Sequence, residues 1–350
     1  MRPAASVVRS SEGGSRVAQR LAGAALDVLE DLPPAGNLTS VDVYISSQCN
    51  RRCHYCFLPS DFFSSGLRMG LDQFSGIVSW GQKNGVEEIT LLGGEPSLHP
   101  SFADMVSLAS RRHMKVRVVT NGCRRFQRLL AAAAIGPVNL ARVAVSLDSL
   151  DRELQDGLRG PGAWRDALDT IELLRECHVP FDINVTAVKP VLDGLAALID
   201  FADRARCRRV NIHWPSTMGI GLGLDADQIP DRHQWEQLTR RIGARVERRT
   251  DFFVEIERGF LAADEPLTKC ALLDFSNLQI FPDGRAYRCG LLVDRDEMAS
   301  LSMAGDKLRL THPGRGEELL RDPVPSACHG CPAVAADGRR ACIYDKISSA

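Results

Sequence analysis

The chain has 350 residues, 44% of them hydrophobic and 25% charged, with a formal net charge of -1 and eleven cysteines. That length holds one large domain plus a smaller one around a well-buried core. The balanced charge excludes the basic footprint of a nucleic-acid partner, and no apolar run approaches the ~20 residues that span a bilayer.

The first residues, 1–14, are rich in Arg and Ser and show no hydrophobic secretory leader. Val17, Leu21, Ala24, Ala25 and Val28 then recur at helical spacing and predict an amphipathic helix. From residue 41 to about 214, short β-branched runs alternate with helical patterns. Strands are predicted at 41–47, 88–92, 116–120, 142–147, 182–188 and 210–213, with helices between them such as 102–111 and 164–176. Six strand–helix units of ~30 residues fill this region. Strict alternation favours a parallel sheet, so chemistry is expected at the C-terminal ends of its strands.

Composition shifts after Trp214. Gly219–Gly223 (GIGLG) lacks the spacing and the lysine of a phosphate loop, and is expected to be a flexible loop over the sheet's mouth. A helix at 232–248 follows, then strands at 252–257, 277–281 and 286–288, the last two forming a hairpin around Pro282-Asp283-Gly284. The tail, 313–350, is loop-rich and carries three cysteines. The expected divisions are a tail and helix (1–40), a core (41–215), a link (216–260) and a C-terminal domain (261–350).

The strongest motif is Cys49-Asn-Arg-Arg-Cys53-His-Tyr-Cys56, directly after the first strand. Three thiolates suit three irons of a cubane cluster, with the fourth iron open. A zinc site wants four ligands, and His54 is too near its neighbours to be an obvious fourth. The later strand ends carry Gly93-Gly94-Glu95-Pro96, Thr120-Asn121-Gly122 and Ser146-Leu147-Asp148-Ser149. Arg159-Gly160 begins the next helical segment, and Asn184 and Thr186 lie on the fifth strand. In isolation Gly93-Gly94 reads as a tight turn and Arg159 as a solvated helix start. Cys270, Cys289, Cys328 and Cys331 form two pairs that suit a zinc ribbon or a second iron–sulfur cluster. Cys123, Cys177 and Cys207 read as small buried hydrophobes. His213 and Trp214 end the sixth strand and face the mouth, where a histidine serves as a base or as a hydrogen-bonded wall. Asp148 and Lys189 share that rim.

Taken in order, these motifs resemble the radical S-adenosylmethionine superfamily over about half of the chain. The resemblance implies a partial, six-unit (β/α) barrel of parallel strands. Cys49, Cys53 and Cys56 would then hold an open [4Fe-4S] cluster beside S-adenosylmethionine. It further implies that Tyr55 neighbours the adenine, and that Gly93, Gly94, Glu95 and Asn121 lie along the cofactor. Glu95 would accept from the ammonium of the methionine moiety, Arg159 would offer a fork to its carboxylate, and Ser146 and Asn184 would bond the ribose hydroxyls. The run from Ile280 to Gly284, followed by Cys289, resembles the hairpin of the twitch and SPASM extensions. That likeness implies an auxiliary [4Fe-4S] cluster on Cys270, Cys289, Cys328 and Cys331, in a small C-terminal iron–sulfur extension. Only five cysteines follow residue 260, where a complete SPASM extension has seven, and Cys342 is left unassigned.

Such an enzyme would work in the cytoplasm with a reducing partner such as flavodoxin or ferredoxin, without nucleic acid or membrane. The expected substrate is a small polar metabolite (a sugar, aminocyclitol or sugar nucleoside in antibiotic biosynthesis), with oxidation or dehydrogenation natural beside a second cluster. The alternative is a ribosomally made peptide that is cross-linked or epimerised. Only about 40 residues precede the first strand, fewer than the ~80 of the usual peptide-recognition domain. Candidates for the catalytic group are His213, Asp148 and Cys342. A non-enzymatic zinc-binding protein is the remaining reading.

Overall fold

The computed structural model describes residues 38–216, 219–246, 251–257, 277–289, 301–310 and 346–349. The helix expected near residues 17–28, the expected loop-rich tail apart from residues 346–349, and Cys270, Cys328, Cys331 and Cys342 lie outside these residues.

All six expected strands form: β1 (Ser40–Tyr44), β2 (Glu88–Leu92), β3 (Lys115–Thr120), β4 (Arg142–Ser146), β5 (Phe181–Thr186) and β6 (Arg209–His213). They pair in parallel in chain order, and β7 (Phe253–Glu257) adds a seventh parallel strand beyond β6. Between them run α1 (Ser60–Ser64), α2 (Leu71–Lys83), α3 (Phe102–Arg111), α4 (Arg124–Ala131), α5 (Arg152–Arg159), α6 (Ala163–Glu176) and α7 (Leu195–Arg204), with α8 (Arg232–Val246) before β7. The result is an α/β fold, a mostly parallel sheet with helices, arranged as an open partial barrel.

Period-two alternation divides the sheet's two faces. On β4 to β6, Val143, Val145, Ile183, Val185, Val210 and Ile212 are buried, and α6 and α7 pack on β4 and β6. The alternate positions carry Ser146, Asn184, Thr186, Asn211 and His213, a polar surface on the other face. The registers pair Ser146 with Asn184, Asn184 with Asn211, and Thr186 with His213. These residues therefore form two adjoining rows near the C-terminal strand ends.

The expected C-terminal hairpin is present as β8 (Gln279–Ile280) and β9 (Arg285–Tyr287). It does not stand apart from the core. β8 pairs in parallel with β1, and β10 (Leu301–Ala304) and β11 (Lys307–Leu310) extend that edge. At the opposite edge β12 (Lys346–Ser349) pairs antiparallel with β7. Phe281 stacks on Tyr44 with ring centroids 4.3 Å apart, and the Tyr44 hydroxyl donates to Gln279 Oε1 at 3.3 Å. Aromatic stacking and edge pairing thus hold the hairpin next to the strand from which the cysteine loop leaves.

Candidate active site

The cysteine loop begins where β1 ends. Ile45 N–H still donates to Leu92 O at 2.9 Å, and Ser46 forms a single bridge with Arg68. The strand predicted to residue 47 stops at Tyr44 because the chain turns there toward the loop after β2. Gly94 N–H donates to Ser46 O at 2.9 Å, and Glu95 N–H donates to Gln48 O at 2.8 Å. A Cβ on Gly93 would lie 2.4 Å from Ser46 O, and one on Gly94 would lie 2.5 Å from Gln48 O. Both glycines are required by this close approach of two backbones.

Cys49, Cys53 and Cys56 are all half-buried on this loop. Burial pushes the Cys49 thiol up to about 12 and the Cys56 thiol to about 11, and Cys53 moves the same way. Without a cation the three sulfurs stay protonated; a bound metal inverts that preference and takes them as thiolates. The thiolates of a cubane each meet a different iron, so the donor set fits a cluster. Ser47 Oγ, sealed in the approach to the loop, has no hydrogen-bond partner among the described residues.

Glu95 is fully buried. Its Oε1 accepts from Ser97 Oγ at 2.7 Å, Thr120 Oγ1 at 2.8 Å and Ser97 N–H at 3.2 Å, and its Oε2 accepts from Asn121 N–H at 2.8 Å. Burial raises its carboxyl pKa, against the pull of these donors. The Asn121 side chain reaches the cysteine loop, donating to Asn50 Oδ1 at 2.9 Å and lying 3.9 Å from Cys49 Sγ. Glu95, Asn121 and the three cysteines are thereby joined into one constellation.

Arg159, expected with Gly160 to begin a helical segment, stands at a helix end instead. It closes α5, with Gly160 as its cap at φ 103°, and it is 8% exposed. Its Nε and Nη2 donate to the two oxygens of Asp148 at 2.6 and 2.9 Å. The same carboxylate accepts from the Tyr55 hydroxyl and from Thr186 N–H at 2.8 Å. The guanidinium also lies 5.3 Å from the Tyr55 ring centroid. Asp148 is 1% exposed, and its four donors leave it the centre of a closed network. Burial, first of all, holds the Tyr55 phenol well above its usual pKa, so it stays a donor. Arg51 ties the cysteine loop to the next turn through Gly160 O, Pro161 O and Asp166.

Asn184 Oδ1 accepts from Asn211 Nδ2 at 2.8 Å, and Ser146 lies beside Asn184 in register. His213 Nδ1 stands 2.9 Å from Glu257 Oε1, while Trp214 N–H donates to Glu257 Oε2 at 2.9 Å. Lys189 lies in the 3-10 turn Lys189–Gly194 after β5. Two features escape a reading of the sequence. Glu257 is one; its signal was a carboxylate at the end of a predicted strand. The glycine segment is the other. Gly219–Gly223 is a 3-10 turn, not a flexible loop. Gly221 N–H donates to Cys56 O at 2.9 Å and Ile220 N–H to Leu58 O at 3.2 Å. A Cβ on Gly219, whose φ is 54°, would lie 2.3 Å from Phe57 O, so the segment needs glycine to dock against the loop.

The geometry defines a parallel α/β partial barrel whose polar constellation gathers at the C-terminal strand ends, where such folds place their chemistry. Residues 43–202 match the model of the Radical SAM superfamily. It is similar to GTP 3',8-cyclase of Helicobacter pylori, 28% identical over 178 residues, covering 50% of this chain and 54% of that protein. PqqA peptide cyclase of Granulibacter bethesdensis is 23% identical over 221 residues, covering 62% and 56% of the two chains. The sporulation killing factor maturation protein SkfB of Bacillus subtilis is 26% identical over 272 residues, 71% of this chain and 63% of that one. The chain spans about half the length of the first curated relatives it matches. Among solved structures, Streptococcus suis SuiB bound to precursor peptide SuiA superposes with a TM-score of 0.60 at 16% identity, over 84% of this chain and 67% of that one. A structure of anSMEcpe with bound AdoMet and the Cp18Cys peptide gives 0.55 at 13%, over 87% and 93%. Both likenesses are of fold. No helix among the described residues is long and apolar enough to cross a membrane.

Proposed function

We propose that this chain is a radical S-adenosylmethionine enzyme that modifies a peptide. The observation that carries the substrate class is the reach of the similarity. The match to the SkfB maturation protein runs over 272 residues, against 178 for the GTP 3',8-cyclase. PqqA peptide cyclase lies between them at 221 residues. Of the expected small metabolites, these relatives name neither a sugar nor an aminocyclitol; a nucleotide is named by the shorter match to GTP 3',8-cyclase, and the alternative of a peptide is preferred to it.

When bound, an open [4Fe-4S] cluster and S-adenosylmethionine supply a 5'-deoxyadenosyl radical that takes a hydrogen atom from the substrate. The residues present fit that pair. Cys49, Cys53 and Cys56 are the ligands of the cluster, and Gly93 and Gly94 let the second strand's loop press against them. Glu95 orients the Asn121 amide and places a buried carboxylate for an ammonium. Ser146 and Asn184 offer hydroxyl and amide partners on the polar face. Tyr55 walls the site and excludes water. Arg159, with two of its nitrogens on Asp148, is a positioning residue for Tyr55 in this reading, in place of the carboxylate fork. Cys289, at the end of the hairpin, joins Cys270, Cys328 and Cys331 as the proposed ligands of a second cluster; support comes from the hairpin forming where it was expected. A flavodoxin or ferredoxin is the proposed reductant.

The test is anaerobic reconstitution followed by reduction with dithionite. The protein should turn brown and release 5'-deoxyadenosine from S-adenosylmethionine. Short synthetic peptides should raise that release and change mass, whereas GTP and aminocyclitols should not. Stimulation by GTP alone would overturn the peptide reading.

A further inference from the structure

His213 is held in one orientation. Glu257 is 6% exposed and holds two neighbours at once, His213 Nδ1 through Oε1 and Trp214 N–H through Oε2. Its own backbone oxygen accepts from Trp235 Nε1 at 2.9 Å, and Trp214 and Trp235 meet edge to face at 4.8 Å. A carboxylate only accepts, so the hydrogen bond to Nδ1 places a proton on Nδ1 of the neutral ring and leaves Nε2 with its lone pair. The His213 side chain is 34% exposed, and Nε2 is neither sealed off nor bonded among the described residues. It therefore presents an open acceptor.

Its position is in the mouth. His213 pairs with Thr186 across β5 and β6. Thr186 N–H donates to Asp148, which holds Tyr55 of the cysteine loop. Two residues back along β6, Asn211 is joined to Asn184. His213 thus stands one strand away from the network that backs the cluster loop, on the same polar face as Ser146 and Asn184. A peptide presents backbone N–H donors that need an acceptor when water is removed.

We propose that His213 Nε2 is the substrate-positioning acceptor for a peptide N–H, and that Glu257 is the positioning residue that keeps the ring in the accepting tautomer. The substrate class rests on the function proposed above; the tautomer does not. Glu257→Gln separates the two roles. Trp214 N–H only donates, so it takes the amide oxygen and leaves the NH2 facing Nδ1. The imidazole then answers by moving its proton to Nε2, and the acceptor becomes a donor.

The full-length chain with 15N-labelled histidine should show His213 protonated at Nδ1, and at Nε2 in Glu257→Gln. A wild-type ring protonated at Nε2 would overturn the assignment. In the reconstituted holoenzyme, with a short synthetic peptide that the wild type modifies, His213→Phe and Glu257→Gln should each raise the peptide KM by about tenfold, the value of one lost hydrogen bond. Iron content and circular dichroism report that both variants are folded and loaded. An unchanged KM in both loaded variants would overturn the proposal. If no peptide is modified by the wild type, the peptide reading falls and takes the assigned ligand with it, while the histidine spectrum still decides the tautomer.

Discussion

A methyl group at Gly94 would sit 2.5 Å from Gln48 O and 2.7 Å from Cys49 Cβ. Nothing there is the flexible end of a side chain, so Gly94→Ala must displace the cysteine loop. The expected outcome is a folded protein that retains less iron after reconstitution; Gly136→Ala, with nothing within 4 Å, should retain the normal amount. Colorimetric iron analysis of the two variants decides the matter. Asp148 makes a different case, since its loss leaves Arg159 buried without its carboxylate. Breaking a buried ion pair from one side costs about 3–5 kcal/mol. Asp148→Ala should therefore lower the urea midpoint of unfolding sharply, and Asp148→Ala combined with Arg159→Met should recover part of the loss. A double-mutant cycle in urea measures that coupling.

At the scale of elements, β8 and β9 depend on aromatic contacts with the core. Phe281 is 4% exposed and meets Tyr44, Phe62 and Tyr287. Phe281→Ala should cost about 3–5 kcal/mol and expose the chain near residue 280 to limited proteolysis before the parallel strands are cut. The same elements show what a sequence reveals. The parallel strands and the hairpin were legible because β-branched runs and the Pro282-Asp283-Gly284 turn are local signals. The cysteine loop was legible because its spacing is short. The Arg159–Asp148 pair was not, although the residues are 11 apart, because the sequence pattern around Arg159 fits a helix start as well as a helix end. Glu257 lies 44 residues from His213, and only the parallel pairing of β6 and β7 brings them together. The docking of Gly219–Gly223 depends on backbone carbonyls of the cysteine loop, which no residue type announces.

For the whole molecule, iron content separates one cluster from two. If both cysteine sets hold cubanes, the reconstituted protein should carry about eight irons, and the triple variant Cys49→Ala, Cys53→Ala, Cys56→Ala about four. A triple variant with almost no iron would confine the cluster to the barrel. The sheet's order has a further consequence, for how the chain reaches its fold. Both borders of the parallel strands are covered by late segments, β8 beside β1 and β12 beside β7. During synthesis the first strand emerges more than two hundred residues before its outer neighbour, since Asp42 pairs with Gln279. Until then its amides and carbonyls form an open edge, a template for pairing with other chains. Such distant pairing slows folding and lengthens that exposure. A chain ended at residue 257 should accordingly keep helices and strands by circular dichroism yet sediment as aggregates. A monodisperse truncated chain would show that the border strands are dispensable. The nascent protein thus has a vulnerable interval that ends only when both border strands, β8 and β12, have emerged.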